Sequence, residues 1–257
     1  MATQITIDEV VTYAFCPMRY YYTYRAKLTQ RQITSTIYYD EIVHKMIYSF
    51  FSLLQNHEEP RLNSLKRAWG KDWINKKTSE DVLFISPYSW RESYERLRKQ
   101  GIQGLIVFWE KFKQDPGFPI AIQKKYQVPI NEKLILVGTW ELIREKDKQF
   151  EIIQFRTGLK KITDFMLEQD LKLTASSYAF HYWFKQQEQR LIVYSFDKGT
   201  FHITQRQPTE YTILKQTVTQ IHQAIESNLF YACPTEKCEL CPFKSICRQK
   251  NKIGSEK

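Results

Sequence analysis

The sequence is poor in the residues and patterns that mark linkers, membrane spans and nucleotide-driven motors. Only 8 of its 257 residues are glycine and 9 are proline, and no low-complexity tract divides the chain, so it does not have the composition of a disordered linker. No apolar run approaches the roughly 18 residues that a membrane-spanning helix needs. The absence of a glycine-rich phosphate loop leaves a P-loop ATPase or helicase without support.

The amino terminus also lacks a targeting signal. The first residues, MATQITIDEVV, contain neither the basic segment nor the apolar block of a signal peptide. We therefore expect a cytoplasmic protein with no membrane partner. In that compartment the five cysteines are expected to be metal ligands or packing residues, because structural disulfides are rare there.

Positive charge and aromatic side chains are abundant. The chain has 38 Lys and Arg against 28 Asp and Glu, a formal net charge of 38 − 28 = +10, and 15% of its residues are aromatic. A chain of this length can bury a sizeable core by itself. Its charge balance makes a polyanion such as nucleic acid a natural partner.

The order of hydrophobic patterns predicts helices first and a sheet later. The first predicted helix is capped by Thr6 or Asp8 and runs toward Tyr22. Apolar residues at helical spacing predict further helices over residues 33–55, 61–76, 89–113, 163–185 and 208–228. Alternating patterns bounded by turns predict strands over residues 120–130, 133–144, 150–156, 190–196 and 200–205. This order predicts an α/β (α+β) fold with a central mixed sheet flanked by helices.

The cysteines form the most specific pattern in the sequence. Four lie in CPTEKCELCPFKSIC, residues 233–247, whereas Cys16 stands alone in FCPMRYYY. Thiolates at C-x2-C spacing can share a metal or cluster, because a tight turn aims both sulfurs at one point. A zinc site on the four C-terminal cysteines, in a protein-interaction module, would make Cys233 essential and Cys16 dispensable. A [2Fe–2S] cluster fits the C-x4-C-x2-C run, and a [4Fe–4S] cluster could join Cys16 to Cys238, Cys241 and Cys247.

The motifs at the two chain ends resemble those of the iron–sulfur branch of the PD-(D/E)XK nuclease superfamily. This branch includes the RecB-like nucleases of recombination helicases and the exonucleases associated with CRISPR adaptation. The matching segments are residues 13–22, with AFCPMRYYY at their centre, and residues 238–247. In each segment a proline, Pro17 or Pro242, directly follows a cysteine.

The resemblance implies a restriction-endonuclease-like fold, DNA as the nucleic-acid partner and a [4Fe–4S] cluster that joins the chain ends. We expect one RecB-like nuclease-like domain over residues 1–250, with cluster-binding ends at 13–25 and 233–248 and a polar tail at 251–257. Cys233 is left without a role in this arrangement. The implied cluster ligands are Cys16, Cys238, Cys241 and Cys247.

The resemblance also locates a catalytic site with an altered motif. The family pattern is a helix histidine, a strand G-x-x-D and a strand (D/E)-x-K-T-G, often followed on the next helix by Q-x-x-x-Y. On that helix this chain offers Lys172 and Ser176. The residues that match the first three parts are His44 in DEIVHKMI, Glu141 in VGTWELI, and Gln154 with Arg156 in IIQFRTG.

The substitutions in the third part of the pattern weaken its chemistry. Period-two alternation places Gln154 and Arg156 on the same strand face. Gln154 lacks the negative charge that Mg²⁺ or Mn²⁺ would need, and Arg156 keeps the charge of lysine but cannot give up a proton. A half-buried Glu141 needs a partner, and we expect a salt bridge to Arg156.

The altered motif favours a DNA-binding protein with weak or no metal-dependent cleavage. The alternative is an active exonuclease or endonuclease that uses Mg²⁺ or Mn²⁺, held by Glu141 and by another carboxylate such as Glu151 or Asp164. Without the family context, His44 is expected to pack in the core or to pair with Glu41 one turn earlier.

Basic residues flank the cysteines at both ends of the chain. Arg19 and Arg25 follow the first cysteine, whereas Lys244 and Arg248 surround the last. A cluster shared by the two ends would bring these four residues together. We therefore expect them to form a phosphate-binding rim.

Overall fold

The computed structural model of the protein describes residues 2–28, 33–75, 82–83, 90–158, 161–236, 238 and 241–247. Two sequence predictions, the phosphate-binding role of Arg248 and the polar tail at 251–257, lie outside the described residues. Within them, no helix is both long and apolar enough to cross a bilayer.

The predicted helices and strands occur in the predicted order, but the structure also has three short strands in the N-terminal part that the patterns did not predict, at Thr3–Thr6, Ile33–Thr34 and Val82–Leu83. The helices are α1 (Ile7–Phe15), α2 (Pro17–Tyr20), α3 (Ser35–Gln55), α4 (Leu62–Asn75), α5 (Trp90–Gln114), α6 (Asp164–Glu168), α7 (Leu171–Phe184) and α8 (Pro208–Glu226). The strands are β1 (Thr3–Thr6), β2 (Ile33–Thr34), β3 (Val82–Leu83), β4 (Phe118–Asn131), β5 (Leu134–Lys146), β6 (Gln149–Arg156), β7 (Arg190–Ser195) and β8 (Thr200–Thr204). A π-helical turn, Tyr21–Arg25, follows α2.

The main sheet contains both parallel and antiparallel pairs. Its strand order is β1-β5-β6-β7-β8, and β4 also pairs with β5. β1 is parallel to β5 and β6 is parallel to β7, whereas β5 with β6 and β7 with β8 are antiparallel. The short strands β2 and β3 form a separate parallel pair. The predicted α/β fold with a central mixed sheet is therefore confirmed.

Two of the predicted helices are interrupted. Cys16 has an extended backbone (φ −165°, ψ 109°) and separates α1 from α2, because Pro17 has no N–H to continue the hydrogen-bond ladder of α1. Asp170 lies outside the helical region and caps α7, where its carboxylate accepts hydrogen bonds from the backbone N–H groups of Lys172 (2.8 Å) and Leu173 (3.0 Å). As a result, Cys16 lies at the start of α2 and Asp170 at the start of α7.

The chain divides into two compact units. The first, the end unit, contains residues 1–30, 127–138 and 207–257, and the second, the core unit, contains residues 31–126 and 139–206. The sequence predicts one domain over residues 1–250, and this stays a prediction.

In the end unit, the N-terminal strand and the first helix are fixed by local sequence. β1 pairs with β5 from Thr3 opposite Leu134 to Thr6 opposite Val137. Thr6 then caps α1 in a capping box, since its hydroxyl accepts from the backbone N–H of Glu9 at 3.1 Å while the Glu9 carboxylate accepts from the Thr6 N–H at 2.8 Å. Helix α8 packs against α1. This packing joins the two ends of the chain.

The core unit is dominated by aromatic side chains between the α3–α4–α5 layer and strands β5–β7. Helix α5 approaches its neighbours closely at two glycines. A Cβ atom on Gly101 would lie 2.0 Å from the Trp69 ring, and one on Gly104 would lie 2.3 Å from the Phe196 ring. The aromatic members of this buried cluster are Tyr38, Tyr39, Phe50, Phe51, Trp69, Trp73, Phe108, Phe112, Phe155, Tyr194 and Phe196.

Candidate functional site

The histidine of helix α3 is held between two carboxylate residues. Its Nδ1 lies 2.9 Å from the carbonyl oxygen of Asp40 and 3.4 Å from that residue's Oδ1, and its Nε2 lies 3.7 Å from Oε2 of Glu141. Burial alone would lower the pKa of His44, but the nearby carboxylate of Glu141, together with Asp40, raises it to about 9. His44 is therefore an imidazolium at neutral pH, and it lies between the carboxylates of Asp40 and Glu141.

Glu141 is bound from two sides. Besides its contact with His44, its Oε2 accepts a hydrogen bond from the backbone N–H of Phe155 in β6 at 2.7 Å. The predicted salt bridge between Glu141 and Arg156 is wrong. Arg156 instead forms an ion pair with Asp170, because the start of α7 presents a carboxylate to the end of β6.

Asp170 is the main residue that sequence reasoning missed at this site. One of its carboxylate oxygens caps α7, and the other accepts from the guanidinium of Arg156. The available signal was an aspartate directly before an apolar helical segment, a standard N-cap position. The sequence analysis assigned Glu141 as the partner of Arg156, because Glu141 matches the family pattern and Asp170 does not.

Gln154 contacts helix α7. Its side chain is only 8% exposed, and its Nε2 donates to the hydroxyl of Ser176 at 3.4 Å. The indole N–H of Trp140 donates to the backbone carbonyl of the same serine at 2.9 Å. Gln154 occupies the position of the second carboxylate in the family pattern. Its side chain is a buried neutral amide that contacts the hydroxyl of Ser176 in α7.

The segment after β6 is tied to α3 and to the β7–β8 turn. The hydroxyl of Thr157 donates to Asp40 Oδ1 at 2.6 Å, and the N–H of Gly158 donates to Asp197 Oδ2 at 2.5 Å. Asp197 also accepts from the Tyr39 hydroxyl. Burial, and then this hydrogen bond, raise the pKa of Tyr39, so it remains a neutral donor.

The alternative carboxylates considered from the sequence are placed differently. Glu151 is 3% exposed and lies 2.7 Å from both Nε and Nη2 of Arg144, with Arg190 at 3.5 Å. It is therefore a member of a buried ion pair and does not fit the role of a metal ligand. Asp164 is exposed in the first turn of α6.

An open pocket of about 620 Å³ lies beside His44. Tyr48 and Gln123 form part of its wall, and burial, followed by the charge of Glu141, raises the pKa of the Tyr48 hydroxyl. Across the described residues, no group of three or more His, Cys, Asp or Glu side chains is arranged to hold a metal ion. The pocket combines the hydroxyls of Tyr48, Ser49 and Ser52 with the carboxylates of Asp40 and Glu41. Its lining residues are Asp40, Glu41, His44, Lys45, Tyr48, Ser49, Ser52 and Gln123.

All five cysteines line one pocket of about 250 Å³ in the end unit, which we call the cysteine pocket. All five are free thiols and partly exposed. The backbone N–H of Thr235 donates to the sulfur of Cys238 at 3.4 Å, and that thiol donates to the carbonyl of Cys233 at 3.8 Å. Cys247 lies on the helical turn after Pro242, and its N–H donates to the carbonyl of Phe243 at 2.9 Å.

The thiols influence one another electrostatically. Burial raises the pKa of Cys247, and the neighbouring thiols of Cys16, Cys241 and Cys238 raise it further. Burial likewise raises the pKa of Cys233, and the neighbouring thiol of Cys16 raises it further. Cys233 and Cys247 are therefore neutral thiols at neutral pH.

Two hydrogen bonds join the N-terminal and C-terminal segments beside the cysteine pocket, one from a side chain and one from the backbone. The hydroxyl of Tyr13 donates to the carbonyl of Leu229 at 2.6 Å. Met18 lies in the first turn of α2, where backbone N–H groups have no partner within the helix. Its N–H donates instead to the carbonyl of Tyr231 at 3.0 Å.

The basic residues of the expected rim have different surroundings. Arg19 and Lys244 line the cysteine pocket, and the guanidinium of Arg19 lies 5.4 Å above the ring of Phe15. Arg25 is paired with Glu226 at 3.5 Å, and both side chains are largely exposed. A pair this exposed adds little to stability, but it partly neutralises Arg25.

Known proteins include distant relatives of this chain. The B subunit of the ATP-dependent helicase/deoxyribonuclease of Clostridium novyi (strain NT) is 24% identical over 179 residues, which are 61% of this chain and 16% of that protein. The crystal structure of SSO0001 is similar over 96% of this chain and 86% of that chain, with a TM-score of 0.44 and 13% identity. The profile of the PD-(D/E)XK nuclease superfamily matches residues 4–248, and the chain belongs to this superfamily.

Proposed function

We propose that this protein is a DNA-binding, RecB-like nuclease-fold protein with a [4Fe–4S] cluster and with weak or no metal-dependent cleavage. The observation that carries the proposal is the environment of Gln154. A buried neutral amide, hydrogen-bonded to Ser176, occupies the position at which the family pattern has a carboxylate. A divalent cation needs anionic oxygen ligands there.

The charges around Gln154 oppose metal binding further. The Glu141 carboxylate is already neutralised by the imidazolium of His44 and a backbone N–H. A metal at Glu141 would have to displace or repel that cation. Arg156 is engaged by Asp170 and is therefore not free to stabilise charge that develops on a cleaved phosphate.

The cysteine pocket supplies thiols, which are the donors that an iron–sulfur cluster takes. Cys16, Cys238, Cys241 and Cys247 would hold the [4Fe–4S] cluster, which would supply a covalent link between the chain ends. The N–H of Thr235 already points to the sulfur of Cys238, a contact of the kind that stabilises a ligating thiolate. The hydrogen bonds that join the chain ends keep the ligands together before the cluster is bound.

Nucleic-acid binding is supported by charge. The net charge of +10 favours any polyanion, and Arg19 and Lys244 on the cysteine pocket supply local cations. Phosphate contacts of this type are independent of sequence. We infer DNA as the polymer because the superfamily consists of nucleases.

The decisive experiment is a cleavage assay with Mn²⁺ on the purified protein and on the double variant Gln154→Glu, Arg156→Lys. We expect DNA binding without cleavage for the parent, and cleavage by the variant if the ligand set is restored. Gln186→Glu adds the same charge at an exposed site on the same unit and serves as the matched control. Robust Mn²⁺-dependent cleavage by the parent that Glu141→Ala abolishes would overturn the proposal of a weak site.

A zinc-stabilised protein-interaction module is the second candidate, and one observation favours it. Cys233 lines the same pocket as the other C-terminal cysteines and its carbonyl accepts from the Cys238 thiol. Four thiolates from one short segment suit a structural zinc ion. Assays of iron, acid-labile sulfide and zinc on protein purified without oxygen separate the two candidates.

A further inference from the structure

Strand β8 lies at one edge of the main sheet. Within the described residues only β7 pairs with it, so alternate backbone N–H and C=O groups on its outer side have no partner strand. Proteins commonly guard such an edge with lysine, with proline or with a bulge. β8 has the sequence TFHIT and a continuous register with β7, so it has none of these guards. It is therefore suited to pairing with a further strand.

The two faces of β8 differ in polarity. Successive side chains point to opposite faces, and Phe201 and Ile203 share the face toward α5, where the ring of Phe201 lies 5.5 Å from that of Phe112. Both side chains remain exposed, Phe201 at 40% and Ile203 at 55%. Thr200 and His202 share the other face, where the hydroxyl of Thr200 lies 3.1 Å from Nε2 of His202. The edge therefore presents an apolar stripe on one face and a polar stripe on the other.

The side chains of β8 follow the same chemical order in both directions. From Thr200 to Thr204 they are hydroxyl, apolar, imidazole, apolar and hydroxyl. When a second β8 runs antiparallel with the two copies of His202 opposite each other, Phe201 lies opposite Ile203, and Thr200 lies opposite Thr204. Pairs of an aromatic with a β-branched residue, and of two threonines, stabilise an antiparallel ladder. Because β8 contains no Lys, Arg, Asp or Glu, this pairing brings none of these charges together.

The alternation of side chains also selects the register. Residues directly opposite each other in an antiparallel ladder point to the same face, so a twofold axis must pass through a residue position and not between two positions. An axis at His202 pairs the whole of residues 200–204, whereas an axis at Phe201 pairs only 200–202 and an axis at Ile203 only 202–204. The register centred on His202 therefore gives the longest ladder.

We propose that β8 pairs with the β8 of a second copy of this chain, in antiparallel orientation about a twofold axis at His202. The product is a homodimer in which the two main sheets join at their edges. The same surface patch is used by both copies, as in most twofold dimers. The dimer does not rest on the proposed function, because neither the cysteine pocket nor the His44 site takes part in it.

Helix α6 adds apolar surface beside this edge. Its residue Leu167 accepts a hydrogen bond through its carbonyl from the guanidinium of Arg206, two residues after β8. Phe165 and Met166 of the same helix are 69% and 44% exposed. A twofold axis perpendicular to the sheet keeps each face on its own side, so the α6 helices of both copies lie on the same side of the joined sheet. Their apolar side chains can then be shared between the two copies.

Sedimentation velocity on the full-length protein over a wide range of concentrations tests the dimer. We expect the parent to associate to a dimer and Ile203→Lys to raise the dissociation constant by about tenfold or more, because the lysine disrupts two cross-strand pairs in each dimer. Ile213→Lys is the matched control, since Ile213 in α8 is also exposed, at 58%, and it should associate as the parent does. Far-UV circular dichroism checks that both variants are folded.

A cysteine introduced at the axis tests the register independently. In His202→Cys the two new thiols lie opposite each other, at a separation that a disulfide can span. After mild oxidation and trypsin digestion, mass spectrometry should find the peptide of residues 199–206, which has no native cysteine, linked to a second copy of itself. In Thr200→Cys, the control on the same face, the two thiols would lie about 13 Å apart along the ladder, and no such link is expected.

The outcomes separate this dimer from other forms of association. A parent that stays monomeric at every concentration overturns the proposal. Equal association of Ile203→Lys and the parent places any dimer elsewhere and overturns it too, as does loss of association in both lysine variants, which would follow from added charge alone. A dimer without the linked 199–206 peptide in His202→Cys, or with the same link in Thr200→Cys, overturns the register centred on His202.

Discussion

The cysteine pocket and the His44 site differ in how their charges are balanced. In the cysteine pocket, burial and neighbouring thiols raise the pKa of Cys233 and Cys247, so these two thiols are protonated and uncharged, and a bound metal would have to displace their protons. At the His44 site each charge already has a partner, because His44 neutralises Glu141 and Arg156 neutralises Asp170. The cysteine pocket therefore holds neutral thiols that a metal could still ionise, whereas the charged groups of the His44 site are already paired with one another.

The largest effect is expected from removing a proposed cluster ligand. The cluster would close a loop of more than 200 residues, and a cross-link of this length contributes up to about 5 kcal/mol by restricting the unfolded chain. Cys16→Ala should therefore lose iron and sulfide and unfold at a lower denaturant concentration, as measured by absorbance and urea titration. Cys233→Ala is the control and should retain iron. Colourless protein with one zinc ion per chain would contradict the proposed iron–sulfur cluster.

The next largest effect concerns the pH dependence of stability at the His44 site. The folded pKa of His44, about 9, exceeds its unfolded value of about 6.5. Its contribution, on the order of 3 kcal/mol, is therefore fully present below about pH 6.5 and is lost as the pH rises through about 9. Urea unfolding across this range should show the loss in the parent and a much smaller loss in Glu141→Gln.

Glu132→Gln changes an exposed turn carboxylate and is the control for this experiment. Its stability to urea should depend on pH as that of the parent does. Identical profiles for the parent and Glu141→Gln would show that the His44 imidazolium is not paired as the structure indicates. NMR titration of the histidine ring would then locate its pKa directly.

A smaller effect is expected when the His44 site is given back a carboxylate. Gln154→Glu places an unpaired charge in a buried position and should cost about 1–3 kcal/mol without metal. Mn²⁺ should recover part of this loss in proportion to its binding, as measured by thermal unfolding at increasing Mn²⁺ concentration. An unchanged melting temperature with and without Mn²⁺ would mean that the remaining residues no longer form a cation site.

The smallest effect is expected for DNA affinity. Arg19→Ala with Lys244→Ala should reduce the salt dependence of binding to duplex DNA by about 0.9 for each phosphate that is no longer neutralised, as measured by fluorescence anisotropy at several salt concentrations. Arg25→Ala removes a cation already paired with Glu226 and should change the slope less. Equal slopes for both variants, with cluster absorbance intact, would identify the pocket rim as an ordinary basic surface.

The succession of helices and strands could be predicted because periodicity is a local property. Thr6 was recognisable as a helix cap from residue type alone, whereas the break at Cys16 was missed, since the sequence predicted one helix running toward Tyr22. The partner of Arg156 could not be predicted in this way, since strand alternation fixes the face of a residue but not the helix that approaches it. Asp170 and Asp197 reach the end of β6 only in the folded core unit, and the neutralisation of Glu141 by His44 required the position of α3 on the sheet.

The placement of the tryptophans has an optical consequence. All six tryptophans of the chain, at positions 69, 73, 90, 109, 140 and 183, belong to the core unit, and the stacked rings of Trp69 and Trp73 are completely buried there. Tryptophan side chains therefore report on the environment of the core unit, whereas the visible absorbance of the proposed cluster would arise in the end unit. The two signals can be recorded in one cuvette.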